Sequence, residues 1–170
     1  MYIPAFDTFN TIYRMLHVLR HFEGDDIVEV DRLRIFDFYL LFPYRAYGIH
    51  LRQREEDFRS MRAKYIEKKA NPYNMTTNDR RLFERLRAYQ MIALSHLASY
   101  GLIDPGMLLQ QKVRVADADK MRNVMAQLDK MPADEDNVLA WLSHCFRHTP
   151  LGGEYGLRYR TQLLESKYDV

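Results

Sequence analysis

His144 and His148 stand four residues apart, with Cys145 directly after the first. On a helix that spacing puts both imidazoles on one side, as a metal pair requires, and the thiol would make a mixed His–Cys site. The glutamate that a zinc hydrolase places after its first histidine is missing, because position 145 is cysteine. The simpler reading is two histidines near a helix C-terminus, where the dipole favours imidazolium, and a cysteine that serves as a small buried hydrophobe. His17 and His21 repeat the spacing. They point away from the Ile12–Leu16–Leu19 seam, which predicts surface histidines. Glu55-Glu56-Asp57 groups three carboxylates, but on a stretch that looks solvated, where nothing raises a carboxyl pKa toward the range of acid–base catalysis. No phosphate-cradling loop, dinucleotide fingerprint or nucleophile elbow occurs, and Gly152-Gly153 has no Lys-Thr after it. The sequence offers no catalytic residue, no cofactor site and no metal site, and predicts a protein that is not an enzyme. A small metal-dependent hydrolase or nuclease would have only His144, Cys145 and His148 to build on.

Composition sets the frame for these residues. A chain of 170 residues, 47% hydrophobic and 28% charged, can bury a core and predicts one domain over residues 1–170. A single cysteine excludes a disulfide framework and suits a reducing, cytoplasmic setting. The first residues have neither the basic nor the apolar region of a secretion signal. The longest run without Asp, Glu, Lys or Arg, residues 88–103, is 16 residues long. A membrane span needs about 20 mostly apolar residues. Net charge is +2 overall but +5 over residues 51–100. A basic face of that kind attracts phosphates, or is a solvated helix surface.

Helices follow from caps and periodicity. Asp7 or Thr8 caps a first helix with Phe9, Ile12, Tyr13, Leu16 and Leu19 inward, ending near Gly24. Ile27 to Val30 reads as extended. Asp31 caps a second helix that is apolar nearly all round and therefore buried, stopped by Pro43. Asp37 inside it needs a partner, and Arg34 is the nearest candidate. Gln53 to Lys69 predicts an exposed charged helix ended by Asn71-Pro72-Tyr73-Asn74. Thr76-Thr77-Asn78-Asp79 has capping-box spacing before a long helix to Tyr100, and Gly101 supplies its left-handed stop. Lys112 to Val115 alternates like a strand. Asp117 caps a helix broken at Pro132, a further helix runs from Asp134 to Phe146, and Leu157 to Ser166 forms the last.

The fold class is therefore mostly α, a helical domain with one or two short strands. The passage from the long helix through Gly101-Leu102-Ile103 to Lys112-Val113-Arg114-Val115 looks like the entry to the wing of a winged helix. A helix that reads DNA bases carries Arg, Lys, Asn or Gln on its groove face. Residues 88–103 offer only Gln90. Arg80, Arg81, Arg85 and Arg87 are instead candidates for DNA-backbone contact, or pair with Asp79 and Glu84. Phe36, Phe38, Tyr39 and Phe42 are candidates for a partner interface, since aromatic side chains are enriched there; filling a core is the plainer use.

Three segments carry a resemblance: Leu33-Arg34-Ile35-Phe36-Asp37-Phe38-Tyr39-Leu40-Leu41-Phe42-Pro43, the stretch Ala93 to Ile103, and Leu157 to Asp169. In order along the chain they are similar to the middle component of bacterial three-component ABC systems, which include Lamassu-type defence against phage and plasmids. The resemblance implies a non-enzymatic adaptor. Its partners would be a coiled-coil, SMC-like ATPase that senses DNA and an effector, often a nuclease, held inactive until sensing. DNA would be met through the complex, and no membrane is involved. A stand-alone winged-helix DNA-binding regulator is the alternative; it would need a polar recognition surface.

Overall fold

The computed structural model describes residues 2–68 and 78–164. Its helices are α1 (Thr8–Arg20), α2 (Val30–Leu41), α3 (Glu56–Tyr65), α4 (Asp79–Ser99), α5 (Pro105–Leu109), α6 (Ala118–Gln127), α7 (Ala133–Phe146) and α8 (Leu157–Thr161). The strands are β1 (Val28–Glu29) and β2 (Lys112–Val113). Pro4–Phe6 and Pro43–Gly48 form 3-10 turns. The fold is mostly helical with two short strands, as the sequence predicts. The expected stop at Asn71-Pro72-Tyr73-Asn74, the Thr76 and Thr77 cap and the tail from Lys167 lie outside the described residues.

Capping chemistry sets the helix starts. Asp7 accepts a hydrogen bond from Asn10 N at 2.7 Å at the head of α1, and Asp117 accepts from Lys120 N at 3.0 Å at the head of α6. Asn78 Oδ1 accepts from Arg80 N and Arg81 N at 2.9 and 3.3 Å before α4. Gly101, at φ +76°, takes the left-handed conformation that closes α4.

The chain divides into two compact units, Met1–Asp37 with Arg85–Met131 and Phe38–Glu84 with Pro132–Val170. In the first, β1 and β2 pair antiparallel with Val28 opposite Val113 and Glu29 opposite Lys112. An isolated bridge joins Ile103 to Val115. The second strand thus takes as partner a segment lying between α1 and α2, far upstream in sequence, and not only its own hairpin neighbour. In the second unit α3 packs on α7, with Trp141 Nε1 donating to Phe58 O at 2.9 Å and the Phe58 and Phe146 rings 5.9 Å apart.

The core of the first unit holds a polar network. Arg14 Nε and Nη2 donate to the two oxygens of Asp37 at 2.6 and 3.2 Å. Gln90 Nε2 donates to Asp37 Oδ2 at 2.9 Å, while its own oxygen accepts from Arg34 Nε at 2.9 Å. Arg34 Nη1 reaches Asp31 Oδ1 at 3.0 Å. The partner of Asp37 is therefore Arg14 and not Arg34. On a helix, Arg34 shares a side with Asp31 as readily as with Asp37, and the bond to Gln90 decides between them.

This network also turns α1. With Arg14 drawn inward, α1 buries Thr11, Arg14, Met15, Leu16, His17, Val18 and Leu19, and Phe9 is 82% exposed. The expected seam through Phe9, Ile12 and Tyr13 is rotated accordingly. His17 is buried, contrary to its expected surface position, because its Nε2 lies 2.9 Å from Asp129 O.

Arg14 and Asp37 are 4% and 0% exposed, so removing one strands the other's charge in the core. Asp37→Ala should cost about 3–5 kcal/mol of unfolding free energy, read from the urea midpoint, with Asp37→Asn losing less. An Asp37→Ala protein as stable as the parent would show that the pair is not structural.

Candidate partner-docking groove

Within the first unit, the end of α1, the two-stranded sheet and α6 enclose an open groove of about 710 Å³. Its floor and walls are apolar: Leu19 and Phe22 from α1 and the turn after it, Val28 and Val113 from the sheet, and Met121 and Met125 from α6. Sequence periodicity places these residues. Leu19 follows Met15 and Leu16 on the inward side of α1, and Met121 and Met125 fall one turn apart on α6.

Polar contacts link the elements around the groove. Arg20 Nη2 donates to Met125 O at 3.1 Å, and Tyr13 Oη donates to Lys130 O at 3.2 Å. Arg114 forks onto both oxygens of Asp26 at 3.2 Å, fastening the turn after α1 to the strand. Val115 at the groove and Ile27 next to β1 are 41% and 38% exposed. A concave apolar surface with adaptable methionine walls and a charged rim has the chemistry to take apolar side chains.

The residues singled out from sequence lie elsewhere. Phe36, Phe38 and Tyr39 are at most 2% exposed and Phe42 is half-buried. Phe36 packs on Phe22 at 5.0 Å between ring centroids, and Phe38 packs on Phe42 and Phe83 at 5.3 and 6.0 Å. Burial drives the Tyr39 phenol far above its ordinary pKa. Three of these four rings are core, the plainer of the two uses that the sequence allows, and they are not offered at the surface for a partner. The groove residues went unmarked, although Met121 and Met125 at helical spacing beside Val113 and Val115 were the signal available.

The α4 arginines sit near its start. Arg80, Arg81 and Arg85 are exposed and Arg87 is half-buried. Arg80 donates to Leu164 O at 2.9 Å, the Arg85 guanidinium lies 5.1 Å from the centre of the Phe6 ring, and Arg87 donates to Gln111 Oε1 at 3.3 Å.

Cys145 is buried, and its thiol is pushed up to about 12 by burial first and by Asp57 and Glu55 second, so it stays protonated at neutral pH. His144 is exposed and packs edge-on against Phe58. Among the described residues no group of three or more His, Cys, Asp or Glu side chains is placed to hold a metal ion. No described helix is long and apolar enough to cross a membrane.

Residues 1–169 match the family model for the ABC-three component (ABC-3C) system Middle Component 5. The chain belongs to that family. No curated protein and no solved structure matches it. A middle component is one member of a multi-component ABC system, so the Middle Component 5 chain works with protein partners.

The carboxylate triplet of this Middle Component 5 chain departs from the expected surface run. Glu56 and Asp57 are exposed, but Glu55 is half-buried and takes a two-pronged contact from Arg160, at 2.7 and 2.9 Å. The Arg160 hydrogen bonds outweigh desolvation and hold the Glu55 carboxyl below its ordinary 4.5. A lowered folded-state pKa stabilises above the unfolded value and is lost as pH falls through the folded one. Stability should therefore fall below pH 4.5. Glu55→Gln should melt lower at neutral pH with a flatter acid limb. Parallel melting curves from neutral to acid pH would refute that role for Glu55.

Proposed function

We propose that this chain is the non-enzymatic accessory subunit of an SMC-like ABC ATPase complex in defence against phage and plasmids. It docks the ATPase and holds the effector to it in the cytoplasm. The apolar groove of the first unit carries this reading, in a family whose members work within multi-component systems. Its walls are mainly apolar, and the contacts of Arg20 with Met125 O and of Arg114 with Asp26 run along its rim.

The order of elements supports the adaptor reading. In the first unit α1, β1, the start of α2, the body of α4, the Ile103 bridge and β2 follow one another as the helices and strands of a winged helix do. Residues 88–103 of this arrangement have no Arg or Lys to read bases. That favours a protein-binding use of the element over a stand-alone DNA regulator. Contact with DNA in the assembled complex falls to the backbone, through Arg80, Arg81, Arg85 and Arg87.

Co-expression with the ABC ATPase tests the docking. Val115→Asp places a carboxylate at the groove, and the charge must be desolvated on binding. It should lower co-purification of the ATPase at least tenfold. Leu109→Asp, at a position 87% exposed and outside the groove, should leave it unchanged. Equal recovery with both variants would remove the groove from the docking account.

Charge reversal tests the DNA contact separately. Arg80→Glu, Arg81→Glu and Arg85→Glu together should abolish DNA retention by the complex and flatten its salt dependence. Unchanged retention would end that assignment.

A further inference from the structure

The second unit carries a strip of rings and guanidinium groups that the docking account does not use. Tyr159 is 45% exposed, and its ring lies 5.3 Å from the His50 ring at 33°. Tyr155 meets Tyr159 edge-on, with ring centroids 5.2 Å apart. The Arg52 guanidinium covers the Tyr155 ring at 4.4 Å, and Arg54 next to it is exposed. Arg52 Nε is buried without a hydrogen-bond partner, and Glu55 Oε1 is 4.0 Å away. The Arg52 side chain is still 31% exposed. With Nε buried, the exposed part of the Arg52 side chain is what an anion can reach.

The strip is built rigidly. Arg160 is 4% exposed and lies beneath it. It donates to His50 O at 3.1 Å, to Tyr155 O at 2.6 Å and to both oxygens of Glu55, while its carbonyl accepts from His50 N at 2.8 Å. One buried side chain thus ties the His50–Glu55 segment to the turn before α8. That turn is tight enough that a Cβ on Gly156 would come within 2.2 Å of Gly152 O. Tyr155 is held at φ +56°, a conformation non-glycine residues rarely take, which aims its ring between Arg52 and Arg160.

We infer that the His50–Tyr159–Tyr155–Arg52 strip binds single-stranded nucleic acid, with bases stacking on the Tyr159 and His50 rings and phosphates on Arg52 and Arg54. Charge and shape both favour this ligand. Residues 50–54 and 155–160 contain four arginines, and the acids directly bordering them are exposed Glu154 and half-buried Glu55. Glu55, which follows the first segment, is neutralised by Arg160. Exposed ring faces are reached by unpaired bases, whereas a duplex hides its base faces in its own stack. Preformed rings and guanidinium groups avoid the ordering cost at binding. The inference does not rest on the docking reading.

Fluorescence anisotropy of the full chain with labelled oligothymidylate tests it. Tyr159→Ala should weaken binding about tenfold, the scale of one base–aromatic stack. Tyr159→Phe should retain it. Arg54→Gln should reduce the slope of log affinity against log salt by about 0.7. A duplex of the same length should bind more weakly and be indifferent to Tyr159→Ala. Circular dichroism of each variant checks that the fold is kept. The inference is overturned if the parent chain binds no oligothymidylate, if Tyr159→Ala binds as the parent does, or if duplex is preferred. Loss of ATPase capture by Tyr159→Ala, with no nucleic-acid binding by the parent, would assign the strip to a protein partner and overturn it equally.

Discussion

The Arg14–Asp37 ion pair decides how the first unit is built. A guanidinium and a carboxylate are desolvated together, and Gln90 and Arg34 fill the remaining hydrogen-bond positions up to Asp31. Burial of two charges returns little net stability compared with a well-packed apolar core. What it supplies is geometry: the charges are satisfied in one relative placement of α1, α2 and α4. That placement rotates α1 so that Leu19 and Phe22 line the groove while Phe9 is left in solvent. The groove is in this sense a consequence of where one arginine must go.

A second arginine plays the corresponding part in the other unit. Arg160 gathers two backbone carbonyls and one carboxylate from segments far apart in sequence. The ring–arginine strip above it inherits that rigidity. Both surfaces belong to the same design, in which buried planar forks fix irregular backbone and leave adaptable or flat side chains facing outward. Much of the basic excess between Arg52 and Arg87 is spent this way. Arg59 donates to the carbonyls of Leu51, Arg52 and Gln53, and Arg62 donates to Ala46 O beneath the Tyr47 ring. Charge counted along the sequence overstates the charge available to a ligand.

Local signals were legible in the sequence. Asp7 and Asp117 announce helix starts, Gly101 announces the end of the long helix, and the nearly unbroken apolar character of α2 announces burial. Features that depend on distant partners were not. His17 reads as a surface residue and Arg14 gives no signal of burial, because their partners, Asp129 O and Asp37, lie on other elements. The aromatic residues of α2 look like an interface only until Phe22 and Phe83 are known to cover them. The groove joins three segments, 19–28, 113–115 and 118–126, none of which is unusual alone. Tyr155-Gly156-Leu157-Arg158-Tyr159-Arg160 interleaves rings and cations in plain sight, but its meaning depends on Arg160 turning inward and Tyr159 outward.

Work within a multi-component assembly is the central claim, and the composition of the native complex tests it most directly. The tagged chain, purified from its host and analysed by mass spectrometry, should bring with it a large coiled-coil ATPase in stoichiometric amount. Recovery of this chain alone, at native expression and low salt, would contradict the account.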